Sequence, residues 1–202
     1  LYLRDEVVGL FWSPTPAPTP GSGGYETRHG FGYTSWRHTS QSLEQEVTCF
    51  MARDEPVKIV RLRVTNRGAT PRPLSMCYYA EWVLGGLRAE TVPSLLTESA
   101  GGGRILLATN PANDDFGGQV AFAAVSGPAA SAPEFTADRA AFLGAHGRVE
   151  SPVALRSDCP LDGRTGAGLD PCAAFRLATT LARGATAEWT VLLGQTADRA
   201  AA

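Results

Sequence analysis

Residues 57–66 have the sequence VKIVRLRVTN, in which apolar and basic side chains alternate. Val60, Leu62 and Val64 fall on one face of an extended chain, whereas Arg61 and Arg63 fall on the other. This period of two is typical of a strand with one face on an apolar core and the other face in solvent. The segment therefore predicts a half-buried β-strand.

The chain that follows predicts a turn and then a second strand. Residues 67–73, RGATPRP, have the composition of a turn. Residues 74–85, LSMCYYAEWVLG, alternate again, and their apolar phase includes Trp82. Trp189 lies on the apolar phase of a later strand-like segment. Both tryptophans are therefore predicted to be anchors of the core.

Most of the remaining chain also has the pattern of short strands. Strands are predicted at 104–110 and 118–126, and residues 172–194 predict a closing hairpin. Only residues 133–147 have some helical character, and the proline-rich segment 12–24 is predicted to be a loop because proline lacks the N–H of a central strand. The fold class is therefore predicted to be all-β, a large antiparallel β-sandwich that forms a single domain over residues 1–202.

The composition argues against a nucleic-acid partner. The chain is 44% hydrophobic, its formal charge is −2, and its 18 basic residues are scattered rather than clustered on one segment. A nucleic-acid partner is therefore not expected, since such binding needs a concentrated basic surface. The chain begins with Leu1 in a strand-like segment and without methionine, and we expect it to be a fragment of a longer protein.

The cysteines indicate a reducing compartment. Cys49, Cys77, Cys159 and Cys172 form no C-x-x-C pair, and Cys49 and Cys77 lie in apolar strand-like segments, where free cysteine behaves as a small hydrophobic residue. We expect four free thiols, a cytoplasmic location and no metal site. One or two disulfides remain the alternative.

Few residues have the pattern of a catalytic or binding site. The two carboxylates of NDD, residues 113–115, are expected on a solvated loop tip, and ligation of a hard cation is the alternative. The cluster RHGFGYTSW, residues 28–36, combines aromatic faces with arginine and histidine, a combination that suits sugar rings. Its alternative is a strand with aromatic side chains in the core.

Seven segments, taken in order, resemble one known family. They are LYLRDE (1–6), WSPTP (12–16), RHGFGYT (28–34), PVKIVRLRVTN (56–66), YYAEWVLG (78–85), NPANDDFGG (110–118) and GAGLDPCAAF (166–175). They resemble the N-terminal β-sandwich of the inverting phosphorylases of glycoside hydrolase family 94, formerly glycosyltransferase family 36. That family includes cellobiose and chitobiose phosphorylases and the phosphorylase-like part of cyclic β-1,2-glucan synthetases.

The resemblance implies a galactose-mutarotase-like super-sandwich that precedes a catalytic (α/α)6 barrel. The barrel would carry the general acid and bind inorganic phosphate, which is a co-substrate of the parent enzyme rather than a cofactor. No barrel follows within this chain, so we expect no catalytic residue in it. The resemblance also implies that the sandwich packs on the barrel, that the parent enzyme is a homodimer, and that loops of the sandwich help to wall the acceptor-sugar site.

These implications point to four candidate site residues, namely His29, Tyr33, Asn110 and Asn113. They lie in loops 28–34 and 110–118, which we expect at one edge of the sandwich. The function implied is that of a non-catalytic domain of an inverting β-glucan phosphorylase or a cyclic β-1,2-glucan synthetase, the latter with its cytosolic part held at the inner membrane. The alternative is a stand-alone carbohydrate-binding module that recognises β-glucan or oligosaccharide by itself.

Overall fold

The computed structural model describes residues 1–156 and 159–199. The first strands are β1 (Tyr2–Asp5), β2 (Phe11–Trp12), β3 (Tyr25–Gly30), β4 (Tyr33–Ser40), β5 (Leu43–Met51), β6 (Val57–Asn66) and β7 (Arg72–Glu81). The later strands are β8 (Leu96–Ala100), β9 (Ile105–Thr109), β10 (Val120–Ser126), β11 (Glu134–Asp138), β12 (Pro171–Leu181) and β13 (Thr186–Thr196). The helices are α1 (Arg88–Thr91), α2 (Arg139–Leu143) and α3 (Val153–Arg156), with 3-10 turns at Val92–Ser94 and Gly101–Gly103.

The strands form two antiparallel sheets that pack face to face. One sheet has five strands in the order β11-β12-β7-β1-β2, and the other has eight in the order β3-β4-β5-β6-β13-β10-β9-β8. Their inner faces share one core, and the predicted all-β antiparallel sandwich is thereby confirmed. The core residues with no measurable exposure are Leu3, Leu43, Val64, Leu74, Met76, Leu106, Ala123, Ala173, Phe175, Leu177 and Trp189.

Strand β6 lies in the middle of the larger sheet and has the predicted alternation. Leu62 and Val64 are buried, whereas Arg61 and Arg63 are exposed on the outer face. Strand β6 pairs with β5 on one side and with β13 on the other. Trp82 and Trp189 are 5% and 0% exposed, which confirms both as core anchors.

Residues 172–194 do not form the predicted hairpin. Strand β12 pairs with β7 and β11 in the five-stranded sheet, whereas β13 pairs with β6 and β10 in the eight-stranded sheet. The connection 182–185 is therefore an arch that crosses between the sheets. The arch allows Phe175 of β12 and Trp189 of β13 to enter the core from opposite sides.

A buried asparagine fixes this arch. Asn66, which has no exposed surface, donates from Nδ2 to the carbonyls of Leu181 (3.0 Å) and Ala182 (3.3 Å). Its backbone carbonyl accepts from the N–H of Gly184, and its own N–H donates to Ala185. These bonds satisfy the polar backbone of a tight connection that has no strand partner.

Residues 133–147 are only partly helical. The first half forms strand β11, and α2 begins only at Arg139, where the carboxylate of Asp138 accepts the N–H of Ala140 as an N-cap. The helix ends at Gly144, whose φ of 96° suits glycine. Helices α2 and α3 then cover the outer face of the five-stranded sheet.

The four cysteines are free thiols in the structure, in agreement with the sequence-based prediction. Cys77 is buried on the helix-covered face of β7, where burial raises the pKa of its thiol to about 11. Burial also raises the pKa of the Cys172 thiol. Both buried thiols are therefore protonated at neutral pH and are weak nucleophiles.

Candidate functional site

Residues 28–34 are not the predicted loop but the tip of the β3–β4 hairpin, and the strand register places them at the same end of the eight-stranded sheet as loop 110–118. Tyr33 is opposite Phe50 at the tip of the β3–β4 hairpin, and Gly194 is opposite Val57 in the middle of the sheet. Ala121 is opposite Ala108, directly before the 110–118 loop. We call this end of the larger sheet the strand-end rim.

One hollow on the strand-end rim has a volume of about 410 Å³. Three parts of the chain form it: the β7–α1 loop, the β9–β10 loop and the end of β13. The lining residues are Leu84, Gly85, Gly86, Asn110, Asn113, Asp115, Phe116, Gln119, Ala121 and Gln195. Its size is within the range of small-ligand sites, so we call it the rim pocket.

Asn110 joins the two loops of the rim pocket. It is 6% exposed and donates from Nδ2 to the carbonyl of Leu84 at 2.8 Å. Its Oδ1 accepts from Ser94 Oγ at 2.8 Å and from the N–H of Ala112 at 3.2 Å. Because both ends of its amide are used within the protein, Asn110 builds the pocket rather than presenting free groups to a ligand.

Asn113 has a similar but more exposed position. Its Oδ1 accepts from the N–H groups of Asp115 (3.1 Å) and Phe116 (3.0 Å), and its Nδ2 donates to the Leu84 carbonyl at 3.5 Å. Leu84 has a φ of 41°, a conformation that costs free energy for a non-glycine residue. The amides of Asn110 and Asn113 therefore both bond to the carbonyl of Leu84, whose backbone is held in a strained conformation at the pocket wall.

The groups available to a ligand in the rim pocket are other residues. Within the described part of the chain, the side-chain amides of Gln119 and Gln195 have no hydrogen-bond partner. Phe116 is 57% exposed, and Asp115 is exposed beside it. Unpaired amides next to an exposed aromatic ring match the hydroxyl groups and the C–H face of a sugar.

Sequence reasoning identified the loop that carries Asn110 and Asn113 but missed Gln119 and Gln195. The two glutamines are 76 positions apart, and they meet because Ala121 pairs with Gln195 across β10 and β13. This contact could be predicted only from the pairing of β10 with β13, and a single sequence does not reveal which strands pair.

His29 and Tyr33 lie at the same rim but outside the rim pocket. They line a second hollow, of about 350 Å³, together with Cys49 and Lys58. Four inter-strand spacings separate β4 from β10, a distance of about 19 Å. A third hollow between them is lined by Glu55, Pro56, Thr196, Ala197 and the two glutamines of the rim pocket. The rim is therefore a row of three hollows.

Within the second hollow, both predicted residues make contacts with the hairpin itself. His29 is exposed and its Nδ1 lies 3.0 Å from Thr34 Oγ1. The Tyr33 ring packs over Gly30, where an added Cβ would lie 2.0 Å from the ring. Phe31, at the tip of the hairpin, is fully exposed. The hairpin thus presents aromatic surface at the far end of the rim.

An ion-pair network holds the β7–α1 loop that borders the rim pocket. Glu81 contacts Arg88 Nε at 3.2 Å and Arg139 Nε at 3.1 Å, and Asp170 contacts both arginines. Burial alone would raise the pKa of Glu81, but hydrogen bonds from Tyr79 and Arg139 and the charge of Arg88 outweigh it. The pKa of Glu81 is therefore held below its ordinary value of 4.5.

Acidification is expected to remove the contribution of this network. Since the pKa of Glu81 is lower in the folded chain than in the unfolded chain, its contribution to stability is complete above about pH 4.5 and is lost as the pH falls below that value. Measured by urea unfolding, the free energy of unfolding should therefore fall less between pH 7 and pH 3 in Glu81→Gln than in the wild type. Glu188→Gln changes an exposed residue on the outer face of the sheet and is the control. Its free energy of unfolding should depend on pH as that of the wild type does.

The described residues contain no group of three or more His, Cys, Asp or Glu side chains that could hold a metal ion. Asp114 and Asp115 instead lie on an exposed turn that Asn113 caps. Within residues 1–156 and 159–199, no helix has both the length and the apolar character needed to cross a membrane.

The fold and the site define a class: a two-sheet antiparallel β-sandwich with a row of hollows at one end of its larger sheet. Residues 1–202 match the model of the glycosyl hydrolase 94 supersandwich domain, and the chain belongs to that family. It is 37% identical over 195 residues to cyclic beta-(1,2)-glucan synthase NdvB of Rhizobium meliloti (strain 1021). It is 24% identical over 203 residues to N,N'-diacetylchitobiose phosphorylase of Vibrio furnissii.

The chain is short compared with these relatives. Each match covers 96% of this chain but only 7% of the glucan synthase and 25% of the phosphorylase. In such proteins the supersandwich is one domain among others. The recognition of the family from seven sequence segments is confirmed.

Proposed function

We propose that this chain is the non-catalytic supersandwich domain of an inverting β-glucan phosphorylase or a cyclic β-1,2-glucan synthetase. It packs on the catalytic barrel of the same polypeptide, helps to wall the acceptor-sugar site and contributes to the dimer interface. The observation that carries the proposal is the rim pocket, in which Gln119, Gln195 and Phe116 converge without protein partners. The similarity to a cyclic β-1,2-glucan synthase over nearly the whole chain supports a β-glucan substrate.

The geometry of the strand-end rim suits an oligosaccharide better than a single sugar. The three hollows follow one another along the ends of neighbouring strands, from Asp115 to His29. Successive sugar units of a glucan would occupy successive hollows, with amides on the hydroxyl groups and Phe116 or Tyr33 on the ring faces. Because these groups form one wall only, the reaction itself takes place on the barrel, where phosphate is the co-substrate.

A location follows from the same proposal. The phosphorylase reaction uses intracellular phosphate, so we place the domain in the cytoplasm. For a synthetase, it would be the cytosolic part of an inner-membrane protein.

Removing the two free amides should weaken the use of acceptor sugar. In the full-length polypeptide, Gln119→Ala together with Gln195→Ala should raise the acceptor KM by about tenfold, since two hydrogen bonds of about 0.5–1.5 kcal/mol each are lost. The kcat should change little, because these contacts bind ground state and transition state alike. Formation of glucose 1-phosphate or its consumption provides the assay.

The matched control is Gln41→Ala, which removes an exposed glutamine from the hairpin at the opposite end of the same sheet. It should leave the acceptor KM at the wild-type value. A double variant with wild-type KM would remove the rim pocket from the acceptor site and leave the family assignment untouched.

The alternative function, a stand-alone carbohydrate-binding module, is favoured by the continuity of the three hollows. Calorimetric titration of the 202-residue chain with linear and cyclic β-1,2-glucan separates the two functions. A domain that supplies one wall should show millimolar affinity or none, whereas a module should bind with micromolar affinity. Loss of that binding in the Gln119 and Gln195 double variant would place the module's site in the rim pocket.

A further inference from the structure

Three of the four sheet edges in the described part of the chain are covered by other segments. The loop before β12 covers two of them: the N–H of Thr97 in β8 donates to the Gly166 carbonyl at 3.2 Å, and the N–H of Ala137 in β11 donates to the Arg164 carbonyl at 2.8 Å. The third edge strand, β2, is only two residues long, and the segment after it folds back on it. Such covering protects an edge strand, whose free N–H and C=O groups otherwise pair with another chain.

Strand β3 is the exception. It is the outermost strand of the eight-stranded sheet and pairs with β4 over all six of its residues, 25–30. On its other side, these residues make no backbone hydrogen bond to any part of the described chain. Five of the six are exposed, and the strand contains no proline, no lysine and no bulge, which are the usual protections of an edge. Strand β3 therefore presents a free edge six residues long.

The charges on the outer face of the sheet form a ladder that ends at this free edge. The register places five residues of alternating charge opposite one another on adjacent strands, namely Glu26, Arg37, Glu46, Arg63 and Glu188. Within the ladder, Arg37 Nε contacts Glu46 at 3.0 Å. Opposite charges on facing positions of neighbouring strands stabilise their pairing. A further strand beside β3 would continue the ladder if it placed a basic residue opposite Glu26.

Strand β3 itself has a basic residue at the required position. When two copies pair antiparallel about a two-fold axis, opposite residues lie on the same face, so the pairing centres on one residue. Centred on Thr27, it places Glu26 of each copy opposite Arg28 of the other. Centred one residue to either side, it places Glu26 opposite Glu26 or Arg28 opposite Arg28. Of these registers, only the one centred on Thr27 is complementary in charge. In the single chain, Arg28 and Glu26 contact each other at 2.7 Å and both are more than half exposed.

The same register brings the tip of each hairpin to a glycine-rich segment of the other copy. Phe31, fully exposed at the tip of the β3–β4 hairpin, falls opposite Gly23, and Gly30 falls opposite Gly24. An added Cβ at Gly24 would meet no atom within 4 Å, so the space beside this segment is open. Pairing would therefore cover part of an aromatic ring that the single chain leaves in water.

We propose that β3 pairs with β3 of a second copy of this chain, antiparallel and centred on Thr27, so that the two eight-stranded sheets form one continuous sheet. This inference rests on the proposed function, which includes a dimer interface without assigning it to a surface, and it names both the surface and the register. Six residues on each side are far fewer than the 20–30 of a standard interface, so association of the 202-residue chain should be weak, with a Kd of about 10 µM to 1 mM. The charges select the register more than they add affinity.

Charge reversal tests the register directly. Glu26→Arg places arginine opposite arginine in the pairing, and Arg28→Glu places glutamate opposite glutamate. Each variant alone should associate at least about tenfold more weakly than the wild type in sedimentation equilibrium, since two attractive pairs become repulsive. An equimolar mixture of the two variants should associate as strongly as the wild type, because every facing pair is again arginine with glutamate.

Glu188→Arg is the matched control, because it makes the same change of charge in the same ladder but away from the free edge. It should associate like the wild type, and circular dichroism shows whether each variant is folded. A wild-type chain that stays monomeric at about 1 mM would overturn the proposal. So would single variants that associate like the wild type, or a mixture that associates no better than its components.

Disulfide formation provides a second test of the same register. Position 27 is the one that faces itself across the axis, and facing Cβ atoms about 4.5–5.5 Å apart are close enough for a disulfide after small adjustments. In a background with Cys49 and Cys159 replaced by alanine and serine, Thr27→Cys should form a linked dimer at least about tenfold faster than Thr39→Cys on mild oxidation. Thr39 is equally exposed but lies on β4, away from the edge. Equal rates would reject pairing centred on Thr27.

Neither test requires sugar or activity, so the β3 contact and the acceptor wall fail separately. A monomeric wild-type chain, together with a raised acceptor KM in the Gln119 and Gln195 double variant, would reject the β3 contact and retain the acceptor wall. Rescue of association in the mixed variants, together with an unchanged acceptor KM in that double variant, would retain the β3 contact and reject the wall.

Discussion

Trp189→Ala should lower the free energy of unfolding of this domain by about 3–5 kcal/mol, the range observed when large aromatic side chains are removed from cores. Trp189 has no exposed surface and lies on the inner face of β13, in the middle of the larger sheet. Its indole Nε1 donates to the carbonyl of Pro128 at 3.0 Å. The substitution removes the largest fully buried side chain and leaves that carbonyl without its partner.

The surroundings of Trp189 are unable to collapse into the space that the substitution creates. Gly127 packs against the indole, with a hypothetical Cβ only 2.6 Å from Trp189 Cδ1, and the neighbouring strands are fixed by continuous ladders to β6 and β10. Urea unfolding followed by far-ultraviolet circular dichroism gives the measurement. Trp189→Phe, which keeps part of the volume but not the N–H, should show an intermediate loss. A loss below about 1 kcal/mol for Trp189→Ala would contradict the burial assigned to β13.

The strands themselves were predictable because their side chains alternate. The positions expected on the core face include the buried Leu62 and Val64 in β6 and the buried Leu74 and Met76 in β7. In β7 the opposite phase is buried too, because helices α2 and α3 cover Cys77 on the outer face. Alternation reports which face of a strand is apolar, and both sheets of a sandwich obey the same rule. The fold class therefore follows from single strands, without knowledge of their partners.

The partners of the strands were not predictable in the same way. Residues 172–194 have the pattern of a hairpin, yet the connection at Arg183 and Gly184 joins two different sheets. Hairpins and arches both place a turn between two alternating segments, so the local sequence does not separate them. The deciding interaction is Asn66, which is more than a hundred positions away and bonds to Leu181 and Ala182.

In the candidate site, too, the positions of the segments could be predicted, whereas the contacts of their side chains could not. The resemblance to a family identified the segments 28–34 and 110–118, and the structure places both at the strand-end rim, the first as a hairpin tip and the second as a loop. The resemblance did not identify the role of each side chain within these two segments. Asn110 was a candidate for contact with sugar, but its amide is used in bonds to Leu84, Ser94 and Ala112. Whether an asparagine faces a ligand or its own protein depends on loop geometry, which the local sequence does not specify.

Asn110→Ala should therefore behave as a structural substitution, with a loss of about 3 kcal/mol in the free energy of unfolding. A buried polar group that loses its partner costs about 1–3 kcal/mol. This change removes the acceptor of the Ala112 N–H, one acceptor of the Ser94 hydroxyl and the 2.8 Å donor of the Leu84 carbonyl, which keeps only the 3.5 Å bond from Asn113. Asn113→Ala is the matched control in the same loop. It should cost only about 1 kcal/mol, because the N–H groups that it frees, those of Asp115 and Phe116, are exposed and can bond to water.

Asn110→Asp distinguishes a lost bond from a lost side chain. It keeps the volume and the acceptor for Ser94 and Ala112, but it places a carboxylate oxygen at the position from which Nδ2 now donates to Leu84 at 2.8 Å. Two acceptors at that distance repel each other, so the stability of Asn110→Asp should fall to near that of Asn110→Ala at neutral pH. Equal and small losses in Asn110→Ala and Asn113→Ala would mean that Asn110 does not hold the two loops together. The amide of Asn110 would then be free to contact sugar, as the family resemblance implies, because an interaction that contributes nothing to folding can be given to a ligand at no cost to the sandwich.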